Sequence, residues 1–155
     1  LNFKLPYVAH KSRFNSIQFL GRISDFLAKE IESELKASGY GMLSTSHLEI
    51  ITYLFKKKIP INMTTIAEEI HKKKPTVTIL INKLENLNLV NKEASNVDKR
   101  EYKISLTSDG IKFGKIALRI SSKLFSLKLW GISPEESEQL YLLLRKVYNH
   151  IHFKP

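Results

Sequence analysis

Thr76, Thr78 and Asn82 lie close together along the chain, directly behind the run Lys72-Lys73-Lys74. Short hydroxyl and amide side chains exchange hydrogen bonds with base edges, and lysines neutralise phosphates, so this combination suits recognition of a polyanion rather than bond-making. Further along, Asp98, Lys99 and Arg100 occupy a stretch rich in turn-forming residues. A carboxylate two residues from a guanidinium can orient it and spare some of the rotamer entropy it would lose on binding. The groups an enzyme needs are missing: no nucleophile with its base, no paired carboxylates placed for a cleft, no phosphate-binding glycine loop. His150 and His152 sit near the end and His10, His47 and His71 are scattered, so no catalytic residue, metal site or cofactor is expected.

The elements that hold these residues follow from periodicity. Val77, Leu80, Ile81, Leu84 and Leu87 recur at the three-and-four spacing of one buried helix face, which turns Thr76, Thr78, Ile79, Asn82 and Lys83 away from the core. Pro75 suits the first turn of that helix, where its missing N–H costs nothing. Upstream, Asn62 is expected to cap a helix over 63–70 that buries Ile66, Ala67 and Ile70, followed by a tight turn at His71 to Lys73. Beyond Asn88 the period changes: Leu89 and Val90, then Tyr102, Ile104 and Leu106, alternate as two antiparallel strands with a solvated tip over 94–99. Helix, turn, helix and two-stranded wing in that order make a winged helix-turn-helix over residues 44–110.

Long helices flank this lobe. The spacing predicts a helix over 12–38 with Ile17, Leu20, Ile23, Leu27, Ile31 and Leu35 along one side, widened by Phe14, Phe19 and Phe26, and stopped by Gly39. So much apolar surface calls for partners on two sides, and a second copy of the chain is the expected one. A second helix starts after Ser44, with Leu43 and Leu48 as a hydrophobic staple, and runs through Ile51, Leu54 and Phe55. Thr107 is expected to cap a helix running through Ile111, Gly114, Ala117, Leu124, Leu127 and Trp130 to Gly131. A last helix opens on Ser133-Pro134-Glu135-Glu136 and carries Leu140, Leu143, Leu144, Val147 and Ile151 on its apolar side. The fold expected is mainly α with a small β-hairpin: one domain over 1–155, with residues 1–38 and 111–155 as dimerisation helices.

Composition agrees with a folded, polyanion-binding chain. Of 155 residues 43% are hydrophobic and 26% charged, which argues against disorder, and the net charge is +10. Between Lys56 and Lys103 eleven basic residues face six acidic ones, so half of the basic excess sits in under a third of the chain. Cysteine is absent, which removes disulfides and thiolate metal sites and fits a reducing cytoplasm. No apolar run approaches the roughly 20 residues of a spanning helix, and residues 1–14 lack the apolar region of a secretion signal, so no membrane partner is expected.

The run Val97-Asp98-Lys99-Arg100-Glu101-Tyr102-Lys103-Ile104-Ser105-Leu106-Thr107-Ser108-Asp109-Gly110 resembles the wing signature of the MarR (multiple antibiotic resistance regulator) family, Asp-x-Arg, a strand, then Leu-Thr-x-x-Gly. Ile66-Ala67, Pro75-Thr76-Val77-Thr78, Leu84 and Leu89-Val90 also fall at that family's spacing. The resemblance implies a homodimeric transcriptional regulator, often a repressor, with two recognition helices and two wings on a pseudo-palindromic operator in double-stranded DNA. It implies that Arg100 reaches the minor groove or its phosphates and that Asp98 holds it. The DNA-binding set expected is Lys73, Lys74, Thr76, Thr78, Ile79, Asn82, Lys83, Asp98, Lys99 and Arg100.

Three positions depart from the family's pattern. Ile79 stands where many relatives carry arginine, which leaves base reading to Thr76, Thr78, Asn82 and Lys74 and offers Ile79 to a thymine methyl. Asn88 replaces the usual glycine at the helix end, and Asn91 and Lys92 fill the place where an arginine commonly begins the wing. Many relatives also bind a small aromatic effector, for which Phe14, Tyr53, Phe113 and Trp130 are the candidates here, although aromatic residues at helical spacing are more often core. The competing function is a winged-helix module that binds another protein without specific DNA binding.

Overall fold

The computed structural model describes the backbone over residues 7–94 and 101–152, and side chains from Asn15 onward. Two compact units make it up, Leu1–Ile120 and Ser121–Pro155. The elements run α1 (Tyr7–Ala37), α2 (Thr45–Lys57), β1 (Ile61–Asn62), α3 (Met63–Glu69), α4 (Lys74–Asn86), β2 (Val90–Ala94), β3 (Tyr102–Leu106), α5 (Ser108–Leu124), α6 (Leu127–Trp130) and α7 (Pro134–His152). None of the described helices is long and apolar enough to cross a membrane.

The core of the first unit is the buried face of every short helix. Ile50, Ile51 and Leu54 of α2, Ile66 of α3, Val77, Ile81 and Leu84 of α4, Ile104 of β3 and Phe113 of α5 are almost fully enclosed. The periodicity of α4 holds until its last turn: Leu87, expected in the core, is 36% exposed. It caps the helix, and at Asn88 the backbone turns left-handed with φ 56°, so the 3.6-residue period stops and Leu89 takes the buried place instead. Among the described side chains of α1 only Ile31 and Leu35 are buried, whereas Ile17, Phe19, Leu20, Ile23 and Phe26 remain exposed.

Where two strands were expected the sheet has three, in the order β1-β3-β2, all antiparallel. Ile61 faces Ile104 and Asn62 faces Lys103. Two residues are too few to display an alternating pattern, and Asn62 also carries the signal of a helix cap: its Oδ1 accepts from the Thr65 amide at 2.7 Å. β1 thus ties the start of α3 to the wing.

The end of α4 is fastened to the start of α5. Thr107 donates its hydroxyl to the Asn88 carbonyl at 2.6 Å, donates its amide to the Leu89 carbonyl at 3.2 Å and accepts from the Gly110 amide at 2.9 Å. Gly110 is required by closeness: a Cβ there would fall 1.9 Å from the Leu89 carbonyl oxygen, and both are backbone with nowhere to go. Gly114 has a similar role one turn on, its missing side chain leaving room for the Phe55 ring.

The helix expected to run from Thr107 to Trp130 is in fact broken. α5 stops at Leu124, and Ser126 adopts an extended conformation that caps α6, its Oγ accepting from the Leu129 amide at 3.3 Å. The Trp130 indole N–H donates to the Leu124 carbonyl at 2.8 Å, filling one of the acceptors the helix end leaves open. Apolar spacing alone continues straight through this break, which is why the sequence conceals it. α7 starts as expected, with the Ser133 amide donating to Glu136 and the Glu136 amide donating to the Ser133 hydroxyl.

His47 in the first turn of α2 was not expected to matter structurally. The Ser44 amide donates to its Nδ1 at 3.0 Å, the return half of a capping box usually made by Glu or Gln. Accepting that hydrogen bond leaves the neutral ring's own hydrogen on Nε2, which is buried without a partner among the described residues. Burial, followed by the nearby Lys83 ammonium, lowers its pKa to about 4. Between pH 6.5 and 4 the unfolded chain therefore binds more protons than the folded one, so acidification through that window destabilises the fold by on the order of 2–3 kcal/mol. His47→Gln keeps an acceptor for the Ser44 amide but does not titrate. Urea unfolding from pH 7 down to pH 4 is expected to show wild type losing that much more stability than the variant, and parallel pH profiles would contradict the assignment.

Candidate nucleic-acid interface

The polar residues of α4 fall into separate stripes because the helix turns 100° per residue. Lys74, Thr78 and Asn82, four apart, form one line. Lys74 and Thr78 border a cleft of ≈ 270 Å³ together with Lys92 of β2 and Glu101 and Tyr102 at the start of β3, so this stripe lies beside the hairpin. Thr76 and Ile79 lie on another side, and Ile79 is 70% exposed, a large β-branched side chain with no core role. Lys72, Lys73 and Lys74 are exposed at the helix start, with Lys73 as the N-cap residue. The lysine run therefore crowds the end of α4 where its free N–H groups already favour an anion.

Individual side chains are more committed than the sequence suggests. The Thr78 hydroxyl donates to the Lys74 carbonyl at 3.0 Å, which leaves the oxygen lone pairs outward. Lys83 turns back: its ammonium is held by the Met42 carbonyl in the loop between α1 and α2. Asn82 is exposed, but its Oδ1 accepts from the Lys92 ammonium at 3.2 Å. Asp98, Lys99 and Arg100 lie outside the described residues.

Lys92 is the residue sequence reasoning undervalued. Besides its bond to Asn82, its ammonium lies 4.6 Å from the centre of the Tyr102 ring. The register explains this: Lys92 is opposite Ile104 and Ala94 opposite Tyr102, so lysine and tyrosine are diagonal neighbours on one face of the hairpin. Pairing the two expected strands in that register would have found the contact from sequence.

The aromatic effector candidates already have structural positions. Phe113 is fully buried, its ring 4.1 Å from that of Tyr40. Tyr53 is half-buried with the Lys57 ammonium 5.5 Å from its ring centre, Trp130 uses its indole N–H on Leu124, and the Phe14 side chain lies outside the described residues. A separate apolar cleft of ≈ 420 Å³ opens at the end of α2, lined by Leu54, Phe55, Ile59, Leu106 and Ile111, with Lys58 and Lys115 at its margin.

Comparison with known proteins finds this geometry elsewhere. The MarR family model matches residues 43–102, the winged-helix segment. The HTH-type transcriptional regulator PrsX of Escherichia coli is 22% identical over 107 residues, 69% of this chain and 64% of its own length. The match thus spans less than two thirds of that relative. Among solved structures, the S. aureus MepR–DNA complex superposes with a TM-score of 0.78 at 22% identity, covering 87% of this chain and 96% of that one. AbsC, a MarR family transcriptional regulator from Streptomyces coelicolor, superposes with 0.78 at 20% identity over 92% and 96%. Streptococcus pneumoniae FabT in complex with DNA gives 0.73 at 21% identity over 91% and 96%. At such identities the structural likeness speaks for the fold, and it extends well beyond the winged helix into the flanking helices. Residues 43–102 thus carry a sequence match to the MarR family model, and most of the chain's length shares the fold of MarR-family structures.

Proposed function

We propose that this chain is a homodimeric, sequence-specific DNA-binding transcriptional regulator, a repressor that leaves its operator when a small molecule binds. The observation that carries this reading is α4 itself: a lysine run at its start and an exposed stripe of Thr76 and Ile79 beside a second stripe of Lys74, Thr78 and Asn82 next to the hairpin. Neutral hydrogen-bonding groups and a methyl-bearing side chain suit base edges, while the lysines suit the phosphates on either side. The relatives MepR and FabT, solved with DNA, lend support through the shared fold.

In this reading residues 44–110 form the DNA-binding lobe and residues 1–38 and 111–155 join two copies. The exposed apolar residues of α1, from Ile17 to Phe26, and of α7, among them Leu143, Val147 and Ile151, supply surface that a lone chain leaves in water. Two recognition helices held roughly 34 Å apart would meet successive major grooves on one side of a pseudo-palindromic duplex.

The test is a salt-titrated gel shift on DNA selected from a random pool, compared with unselected DNA. Arg100→Ala is expected to weaken binding to every sequence and to lower the slope of log K against log salt by about one, as loss of one phosphate contact requires. Unchanged affinity and slope would remove the wing from the mechanism. Equal wild-type affinity for selected and unselected DNA would instead favour the protein-binding module.

For the effector, the cleft beside α2 is the better lodging than the four aromatic residues, because its walls are apolar and its two lysines suit a carboxylate. A small aromatic acid that releases wild-type protein from DNA is expected to need at least several-fold higher concentration with Lys115→Ala, since one charge-assisted contact is lost. Equal release of both proteins would place the effector elsewhere.

A further inference from the structure

The contact between Lys92 and Asn82 settles more than local packing. An ammonium carries three N–H donors and no acceptor, so only the oxygen edge of the Asn82 carboxamide can face it. The bond to Oδ1 at 3.2 Å therefore fixes which way round the amide stands. Lys92 is itself held, with the Tyr102 ring against its ammonium and the β2–β3 ladder fixing its backbone, so it is a firm post and not a wandering surface lysine. The Asn82 amide nitrogen lies on the opposite edge of an exposed side chain, and among the described residues nothing accepts from it.

We propose that Lys92 is a specificity-determining residue that acts through Asn82, turning a side chain able to read adenine into one that reads only acceptors. This rests on the DNA-binding function proposed above. A free asparagine recognises adenine by accepting from N6 and donating to N7 with the two edges of one amide. With Oδ1 drawn to the wing, that paired geometry is lost and the two Nδ2 hydrogens remain. They suit guanine N7 and O6 or thymine O4, which only accept. The wing thus selects bases through the recognition helix, in addition to any contact of its own with DNA.

The experiment is selection of bound duplexes from a random pool by wild type, Asn82→Ala, Lys92→Met and Lys92→Arg, each first checked by circular dichroism for helix content. In wild type one base position per half-site is expected to favour guanine or thymine by about five- to ten-fold, as a donor-only contact allows. Asn82→Ala should flatten that position alone. Lys92→Met should move it toward adenine and leave the other positions unchanged, and Lys92→Arg, also donor-only, should keep the wild-type base. If Lys92→Met fails to fold, wild type, Asn82→Ala and Lys92→Arg still decide: adenine at the Asn82-dependent position of wild type overturns the proposal, as does a changed base with Lys92→Arg. A folded Lys92→Met protein with the wild-type preference, or Asn82→Ala with no effect at any position, overturns it as well while leaving DNA binding intact. Should wild type enrich no sequence at all, the failure belongs to the function proposed above.

Discussion

The approach of two backbones, at Leu89 and Gly110, is the constraint on which the winged-helix lobe depends. A side chain at Gly110 would strike the Leu89 carbonyl, and Thr107 bonds to Asn88, Leu89 and Gly110 at once. One residue thereby follows β3, caps α5 and secures the turn that leaves α4. Since β3 is also the central strand of the sheet, pairing with β1 on one side and β2 on the other, α4, the wing and the start of α3 are all referred to a single junction. A surface that matches both a groove and the phosphates beside it needs its parts held at fixed spacing, because ordering them on binding would cost affinity.

Much of this was legible. Leu-Thr-x-x-Gly is a sequence signature, and the junction explains it physically: the threonine as latch and cap, the glycine as clearance. The α4 core face could be read from Val77, Ile81 and Leu84, and the α7 start from Ser133 and Glu136, since caps and helical periods are local. What escaped notice depended on context. β1 is too short to alternate, the break at Phe125 and Ser126 lies inside an unbroken apolar spacing, and Leu87 left the core because the helix ended one residue before it.

At the site the same distinction holds. Exposure of α4's polar residues followed from periodicity, but their partners did not. Lys83 turns to Met42, and Asn82 meets Lys92 across ten residues of sequence. These contacts divide the cations of the lobe into two classes. Lys72, Lys73 and Lys74 have charge presented outward at a helix start, whereas Lys83 and Lys92 have theirs applied to internal order. Net charge alone counts both kinds equally. His47 adds a limit from within: beside Lys83 and buried, it serves the α2 cap only while neutral.

If the junction makes α4 and the wing one mechanical unit, weakening it must loosen both. Native-state hydrogen exchange on Thr107→Val protein tests this directly, since the substitution keeps the shape but removes the hydroxyl that bonds Asn88 and Gly110. Amides in the middle of α4 and of β3 should lose protection together and by a similar factor, about ten-fold for the loss of two hydrogen bonds. Loss confined to the amides flanking residue 107, with α4 exchanging as in wild type, would contradict it.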